Sequence, residues 1–250
     1  AQGTTRAGKA MTARSRVGLF VTCLVDLVRP QIGFAAVKLL EQSGCDVVVP
    51  RAQTCCGQPA WNAGADKPAR EIAEQVVATF REFDYVVAPS GSCAGMIKRH
   101  YPEVLKNDPG ALALAAKTHE LTSFLVNIRG MKAVTAKCEA RACYHDSCSS
   151  LREMKVREQP RQLLASVEGL SISELTDGDI CCGFGGLFSV KYPEISERMA
   201  DDKIADATAT GADMLIGGDL GCLLHLEGRM SRQGKTMRVR HVAEVLADGT

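Results

Sequence analysis

The sequence predicts an α/β fold made of two pseudo-duplicated domains, each a mainly parallel sheet flanked by helices. Short runs of β-forming residues alternate with longer helical stretches from about residue 16 onward. The same alternation begins again after about residue 130, and the cysteine spacings of the first half return in the second. Strands separated by helices pair in parallel, because each helix carries the chain back across one face of the sheet.

The first half contains three predicted strands with helices between them. One helix begins at about Asp66 and Pro68, and its apolar residues recur three and four positions apart, which places them on one helix face. Those apolar residues are Ile72, Val76, Phe80 and Phe83. The predicted strands cover residues 17–22, 46–49 and 85–88. This alternation predicts one parallel sheet for the first half.

The second half repeats that organisation. Three more strands are predicted at residues 142–145, 171–175 and 214–216, and a long helix at residues 193–208. We therefore predict two domains, residues 11–130 and residues 131–250. Residues 1–10 are interpreted as an expression remnant.

Cysteine spacing supports the duplication independently of the strand pattern. Cys23 and Cys55 have 31 residues between them, and Cys148 and Cys181 have 32. Cys55 and Cys181 each begin the same tripeptide, Cys-Cys-Gly. An aspartate also lies nine residues before Cys93 and nine residues before Cys222. Matched spacings of this kind indicate two copies of one structural unit.

Composition limits the possible classes of function. Thirty basic and twenty-nine acidic residues give a net charge of +1, which does not indicate a nucleic-acid-binding protein or a surface that attracts an anionic membrane. No apolar run reaches the roughly 18 residues that span a bilayer, and no secretory signal is recognisable. Eleven cysteines in a chain too large to need disulfides favour thiols kept for metal or redox work in a reducing compartment. We expect a cytoplasmic protein, which partners could hold at the inner face of the membrane.

Eight of the cysteines follow predicted strands, three positions in each half. The carboxyl ends of parallel strands meet at one edge of a sheet, where such folds bind ligands, so these thiols can converge into a metal or cluster site. The eight are Cys23, Cys55, Cys56, Cys93, Cys148, Cys181, Cys182 and Cys222. The remaining three, Cys45, Cys138 and Cys143, are interpreted as buried thiols, the usual role of an isolated free cysteine.

Four segments resemble the cysteine-rich CCG domain. They are QTCCGQPAWNAG at 53–64, PSGSCAGMI at 89–97, YHDSCSSLR at 144–152 and CCGFGGLFSVK at 181–191. The domain is shared by the heterodisulfide reductase B subunit, the glycolate oxidase iron–sulfur subunit and the lactate utilisation protein A family. The segments look most like the last of these, and the resemblance covers residues 16–246.

The resemblance implies an electron-transfer subunit of an L-lactate-oxidising complex, an oxidoreductase assembly in which this chain is non-catalytic or co-catalytic. It implies that the eight cysteines bind an iron–sulfur cluster of the 4Fe–4S type. It also implies two partners, a ferredoxin-like iron–sulfur subunit and a third small subunit, since the chain shows no flavin or nicotinamide motif for two-electron chemistry. No catalytic residue can be assigned from the sequence.

The sequence departs from the wider family at the fifth ligand position. The heterodisulfide reductase pattern has a further cysteine there, but this chain has Met96 in the first half and His225 in the second. His145, three residues before Cys148, is a weaker second candidate, and Phe20 stands at the matching place in the first half. Imidazole is a better ligand than a thioether, so we predict that the second half is the stronger metal site. His119 and His241 are interpreted as ordinary side chains.

Two alternatives of other classes stay open. Cys148, Cys181, Cys182 and Cys222 with His225 would also suit zinc in a structural scaffold. Adjacent cysteines could instead cycle between dithiol and disulfide in a thiol–disulfide enzyme. We expect that the chain alone does not oxidise L-lactate; if it did, Lys191, Arg152 and His145 beside the second site would be the candidate catalytic residues.

Overall fold

The computed structural model describes residues 14–247, which form two four-stranded sheets. The first sheet has the order β2-β1-β3-β4 and the second the order β6-β5-β7-β8, so the two have the same topology. All neighbouring strands pair in parallel. The strands are β1 (Ser15–Leu19), β2 (Cys45–Val48), β3 (Tyr85–Ala88), β4 (Thr118–Glu120), β5 (Lys137–His145), β6 (Glu168–Ser173), β7 (Met214–Gly217) and β8 (Arg238–His241). The predicted fold class is confirmed.

Helices connect the strands and cover the sheets. Those of the first half are α1 (Cys23–Val28), α2 (Gln31–Gln42), α3 (Gln58–Asn62), α4 (Asp66–Phe80), α5 (Gly91–Gly95), α6 (Tyr101–Val104), α7 (Pro109–Lys117) and α8 (Leu121–Ser123), with π-helical turns at Met96–His100 and Phe124–Ile128. Those of the second half are α9 (Cys148–Arg152), α10 (Glu158–Leu164), α11 (Leu187–Lys191), α12 (Pro193–Ala209), α13 (Leu220–Arg232) and α14 (Val242–Ala247). Among residues 14–247, no helix is long and apolar enough to cross a membrane.

The predicted elements differ from the observed ones mainly at their ends. β1 ends at Leu19 rather than at residue 22, because Thr22 already caps α1 with its side chain. The sequence did not predict β4 or β8, which are short and rich in polar residues. The predicted remnant at residues 1–10 lies outside the described residues, and the domain boundary near residue 130 stays a prediction.

The two halves share a hydrophobic core. α2 of the first half packs against α14 of the second, and Leu39 and Leu40 belong to the same buried cluster as Val245 and Leu246. The Arg29 guanidinium also forms an ion pair with Glu227, at 2.7 Å. Because burying aliphatic side chains is the main favourable contribution to folding, this shared core fixes one half relative to the other.

The three cysteines assigned to packing lie inside the sheets. Cys45 begins β2, and Cys138 and Cys143 belong to β5; all three thiols are buried. Burial raises the pKa of the Cys143 thiol to about 11, so it remains protonated and packs as a small apolar group.

Candidate metal centre

The first four cysteines form a contiguous group, the first quartet. Cys23 is the first residue of α1, Cys55 and Cys56 lie in the loop after β2, and Cys93 belongs to α5. Hydrogen bonds link their thiols in the order Cys23, Cys55, Cys56, Cys93. The Gly57 amide donates to the Cys55 sulfur at 3.4 Å. All four thiols therefore meet at the carboxyl edge of the first sheet.

The other four cysteines form the second quartet in the same way. Cys148 begins α9, Cys181 and Cys182 lie in the loop after β6, and Cys222 belongs to α13. The sulfurs of Cys148 and Cys181 are 3.9 Å apart, and the thiols of Cys182 and Cys222 are hydrogen-bonded. Gly183, which donates its amide to Cys181 at 3.4 Å, has φ 87°, a conformation that favours glycine. A Cβ at Gly183 would also lie 2.6 Å from the Ser196 carbonyl oxygen, so this loop needs glycine for two reasons.

The central thiol of each quartet has a lowered pKa. Hydrogen bonds from Cys23 and Cys56 hold the pKa of the Cys55 thiol far below its usual value. Hydrogen bonds from Cys148 and Cys182 do the same for Cys181. The donating thiols have raised pKa values, since they keep their protons for the central thiolate. A cation that binds a quartet would displace the protons of the other thiols.

His145 lies beside the second quartet. It is the last residue of β5, it is 1% exposed, and neither ring nitrogen has a hydrogen-bond partner among residues 14–247. One of its nitrogens and the sulfurs of Cys182 and Cys222 all lie within 4.8 Å of one another. Burial lowers the pKa of His145 to about 4, which leaves the imidazole neutral and able to bind a metal.

The other predicted fifth positions are engaged elsewhere. His225 lies on α13, its Nε2 is 3.2 Å from the Ser196 hydroxyl, and its ring packs near that of Phe184. Met96 is fully buried in the apolar core of the first half. The sequence ranked His225 above His145, and the geometry favours the opposite order. A ligand role for His225 stays a prediction.

Two residues near the quartets were missed by the sequence analysis. Asp219, of the second half, accepts hydrogen bonds from the Ser90 hydroxyl at 3.1 Å and from the Ser92 amide at 3.0 Å, at the start of the helix that carries Cys93. Lys203 is buried in α12, where its ammonium donates to the Asp177 carbonyl. Aligning the two repeats on Cys93 and Cys222 would have flagged Asp219, because it occupies the place of Ser90.

A cavity of about 230 Å³ opens beside the first quartet. All four cysteines of the first quartet line it, and Phe184 and Asp219 line it from the second half. The second half therefore shapes the access to the first quartet as well as its own site.

The fold and the two quartets define a duplicated cysteine-rich-domain protein. The family model "CCG: Cysteine-rich domain" matches residues 17–98 and 142–227, which contain all eight quartet cysteines. Lactate utilization protein A of Geobacillus kaustophilus is 51% identical over 235 residues, which is 92% of this chain and 98% of that protein. The protein of the same name from Halalkalibacterium halodurans is 47% identical over 92% of this chain and 96% of its own length. The chain belongs to the lactate utilization protein A family.

A solved structure shares the fold at low sequence identity. It is described as a hypothetical protein from Helicobacter pylori, superposes over 94% of this chain with a TM-score of 0.67, and is 12% identical. The chain spans about half (49%) of that protein's length. The similarity extends to the fold alone.

The donors of both quartets fit a soft metal. Thiolates and imidazole are the ligands that iron–sulfur clusters and zinc take in proteins. The buried imidazole of His145, which has no hydrogen-bond partner within the described residues 14–247, is a further sign, because an isolated polar side chain of this kind is costly unless another group binds it. The chemistry of the residues thus agrees with metal binding.

Proposed function

We propose that the chain is the iron–sulfur, electron-transferring subunit of an L-lactate-oxidising system. The observation that carries the proposal is the presence of two quartets of contacting thiols in a chain whose relatives are named lactate utilization protein A. The eight quartet cysteines would hold clusters of the 4Fe–4S type. Such a cluster, when bound, supplies one-electron chemistry.

The residues of the chain have three roles in this proposal. The thiolates bind, and the Gly57 and Gly183 amides stabilise the negative sulfurs of Cys55 and Cys181. Apolar side chains around the buried thiols of Cys56, Cys182 and Cys222 limit the access of water there, which lowers the local dielectric and tunes the reduction potential. None of these residues needs to contact lactate.

Lactate oxidation releases two electrons and protons, so the proposal requires partners. A ferredoxin-like iron–sulfur subunit and a third small subunit would supply the two-electron step and the onward transfer, and could hold the chain at the inner face of the membrane. We expect the isolated, metallated chain not to reduce a dye with L-lactate. Turnover by the chain alone at about 1 per second or faster would contradict this division of labour.

Metal analysis tests the proposal most directly. The chain is expressed and purified without oxygen, and iron, acid-labile sulfide and zinc are measured together with the visible absorption. We expect brown protein with iron and sulfide, and the same result for Cys138→Ala, which changes a thiol outside the quartets.

Two other results would replace the proposal. Colourless protein with stoichiometric zinc would support the scaffold alternative, for which His145, Cys182 and Cys222 together with the neighbouring Cys181 would provide four donors. Metal-free protein that forms a Cys55–Cys56 or Cys181–Cys182 disulfide reversibly would support the thiol–disulfide alternative.

A further inference from the structure

Contacts among residues 14–247 do not explain why the polar side chain of His145 is buried. Its side chain is enclosed, and both ring nitrogens lack a partner among residues 14–247, although a neutral imidazole carries one donor and one acceptor. Buried polar groups are almost always hydrogen-bonded, because an unpaired one is destabilising by the whole free energy of removing it from water. A group absent from the polypeptide would satisfy one of these nitrogens.

The surroundings of the imidazole identify the chemistry of that group. A ring nitrogen and the sulfurs of Cys182 and Cys222 all lie within 4.8 Å of one another. Metal–ligand bonds of about 2.0–2.3 Å bring two donors on one metal to about 3.5–4 Å, so shifts of about 1 Å would bring all three into coordination. Cys181 joins the same group through its hydrogen bond to Cys182.

The backbone already places His145 for this role. It is the last residue of β5, where it pairs with Gly217 of β7, and three residues later Cys148 begins α9. The imidazole and two of the three cysteine-bearing loops therefore start from neighbouring strand ends. The strand ends therefore position His145, Cys148 and Cys222, while Cys182 reaches the same place from the loop after β6.

The first half provides an internal comparison. Phe20 lies three residues before Cys23, as His145 does before Cys148, and it is fully buried against the ring of Phe80, with ring centroids 5.6 Å apart. A phenyl ring cannot bind a metal. The two quartets thus share their thiols, and at this position only the second quartet has a side chain that can donate to a metal.

We propose that His145 binds the metal of the second quartet through an imidazole nitrogen, which makes that site a mixed thiolate–imidazole centre while the first is an all-thiolate one. The inference rests on the proposed function only in needing a metal at the second quartet. Iron–sulfur clusters and zinc both accept a nitrogen ligand beside sulfur.

Nitrogen spectroscopy on the wild-type chain tests the inference without any substitution. The chain is prepared anaerobically with ordinary and with ¹⁵N-labelled histidine, and pulsed EPR of the reduced protein records the nitrogen hyperfine coupling. We expect the strong coupling of a directly bound nitrogen, with the isotope change expected for histidine. If the bound metal is zinc, X-ray absorption takes the place of EPR, and we expect one nitrogen in a sulfur-rich shell.

Matched variants assign the nitrogen to one residue. His145→Phe introduces the residue of the first half, His145→Gln keeps a polar side chain of similar length, and His225→Gln removes the competing histidine. Circular dichroism and the retained metal of the first quartet establish that each variant is folded. We expect the coupling to vanish in both His145 variants and to remain in His225→Gln.

The outcomes separate this inference from the proposed function. Wild-type protein that binds no metal overturns both. Protein that binds metal at the second quartet without a bound nitrogen, or whose nitrogen signal survives in His145→Gln, overturns the His145 assignment alone. Loss of the signal only in His225→Gln would assign the nitrogen to His225 instead.

Discussion

The two quartets are built alike and surrounded differently. Each has its cysteines beyond the ends of three parallel strands, and a glycine amide that donates to a central thiol whose pKa is lowered. Around the second quartet, however, lie His145 and the buried ammonium of Lys203. At the matching places of the first half are Phe20 and Val76, the latter ten residues into α4 as Lys203 is ten residues into α12. The duplication has kept the ligand framework, and the side chains behind it make the two sites chemically distinct.

We expect the largest difference between the two sites when the adjacent cysteines of one quartet or the other are replaced. We expect Cys181→Ser with Cys182→Ser to remove more bound iron than Cys55→Ser with Cys56→Ser, since the second site has the additional imidazole and metal affinity rises with the number and basicity of ligands. Iron and sulfide per chain are measured after anaerobic purification, with Cys138→Ala as the control. Equal losses, or a larger loss from the first pair, would contradict the ranking.

Asp219 tests how far the first quartet depends on the second half. Asp219→Ala leaves the Ser90 hydroxyl and the Ser92 amide without their acceptor at the start of α5, so we expect the free energy of unfolding to fall by about 1–3 kcal/mol. We also expect less metal at the first quartet, because α5 carries Cys93. Urea titration of the metal-free chain and iron analysis measure the two effects.

Asp202 supplies the matched control for Asp219. It is an exposed aspartate of the same half whose ion pair with Arg198 lies on the helix surface. Asp202→Ala should change stability by no more than about 0.5 kcal/mol. If the two substitutions had equal effects, the contact between the halves would have no special importance for the first quartet.

Acid should destabilise both halves through desolvated histidines outside the quartets, the half-buried His119 of the first half and the buried His241 of the second. Burial lowers the pKa of His119 and of His241 to about 4, from the usual 6.5. Because the folded-state pKa is the lower one, the unfolded chain binds more protons below about pH 6.5. Stability is therefore full above that pH and is lost as the pH falls from 6.5 to 4, by at most about 1.4 kcal/mol per pH unit for each residue.

Urea titrations of the metal-free chain between pH 7 and pH 4.5 measure this dependence. His119 packs between the rings of Tyr85 and Phe124, so His119→Phe should flatten the curve without leaving a polar group unpaired. His241→Phe should flatten it equally but lower stability at every pH, since the His241 ring is 3.2 Å from the Pro89 carbonyl oxygen. An unchanged slope in His119→Phe would show that this histidine titrates normally.

Lys203 should give the smallest measurable difference between the sites. Its ammonium interacts with Cys182, so Lys203→Met removes a positive charge that stabilises the reduced, more negative state. An interaction of about 1 kcal/mol corresponds to about 40 mV for one electron, and we expect the potential of the second site to fall by that amount. A redox titration should show no change at the first site; Lys235→Met, which changes an exposed lysine, serves as the control.

Much of the fold and the grouping of the cysteines was predictable, because both follow from patterns that are local in the sequence. The apolar runs that became β3 and β7 and the matched cysteine spacings needed only strand periodicity and the convergence of parallel strand ends. β4 and β8 escaped because three or four polar-rich residues carry no usable periodicity. In these strands, pairing with a neighbour overrides the weak local preference.

The environment of the site was less predictable, since it depends on contacts between distant segments. His225 stands at the position where the wider family has a ligand cysteine, which made it the first candidate. In the structure the Ser196 hydroxyl of α12 lies against its ring, and no local sequence pattern predicts that contact. Lys203 stands in the polar stretch MADDKIAD, which is typical of an exposed helix, yet it is buried. Which residues of a helix face another helix is decided by tertiary packing.

The contact between Asp219 and the start of α5 also has a consequence for the order of events on the ribosome. Cys93 has been synthesised 126 residues before the carboxylate that caps its helix. At about 5–20 residues per second, the interval is roughly 6–25 seconds. During that time the first three thiol-bearing loops are complete in sequence but lack their final support. The first quartet therefore gains its last support only three residues before Cys222 completes the second quartet, so the two sites reach completion almost together although their first ligands are far apart along the chain.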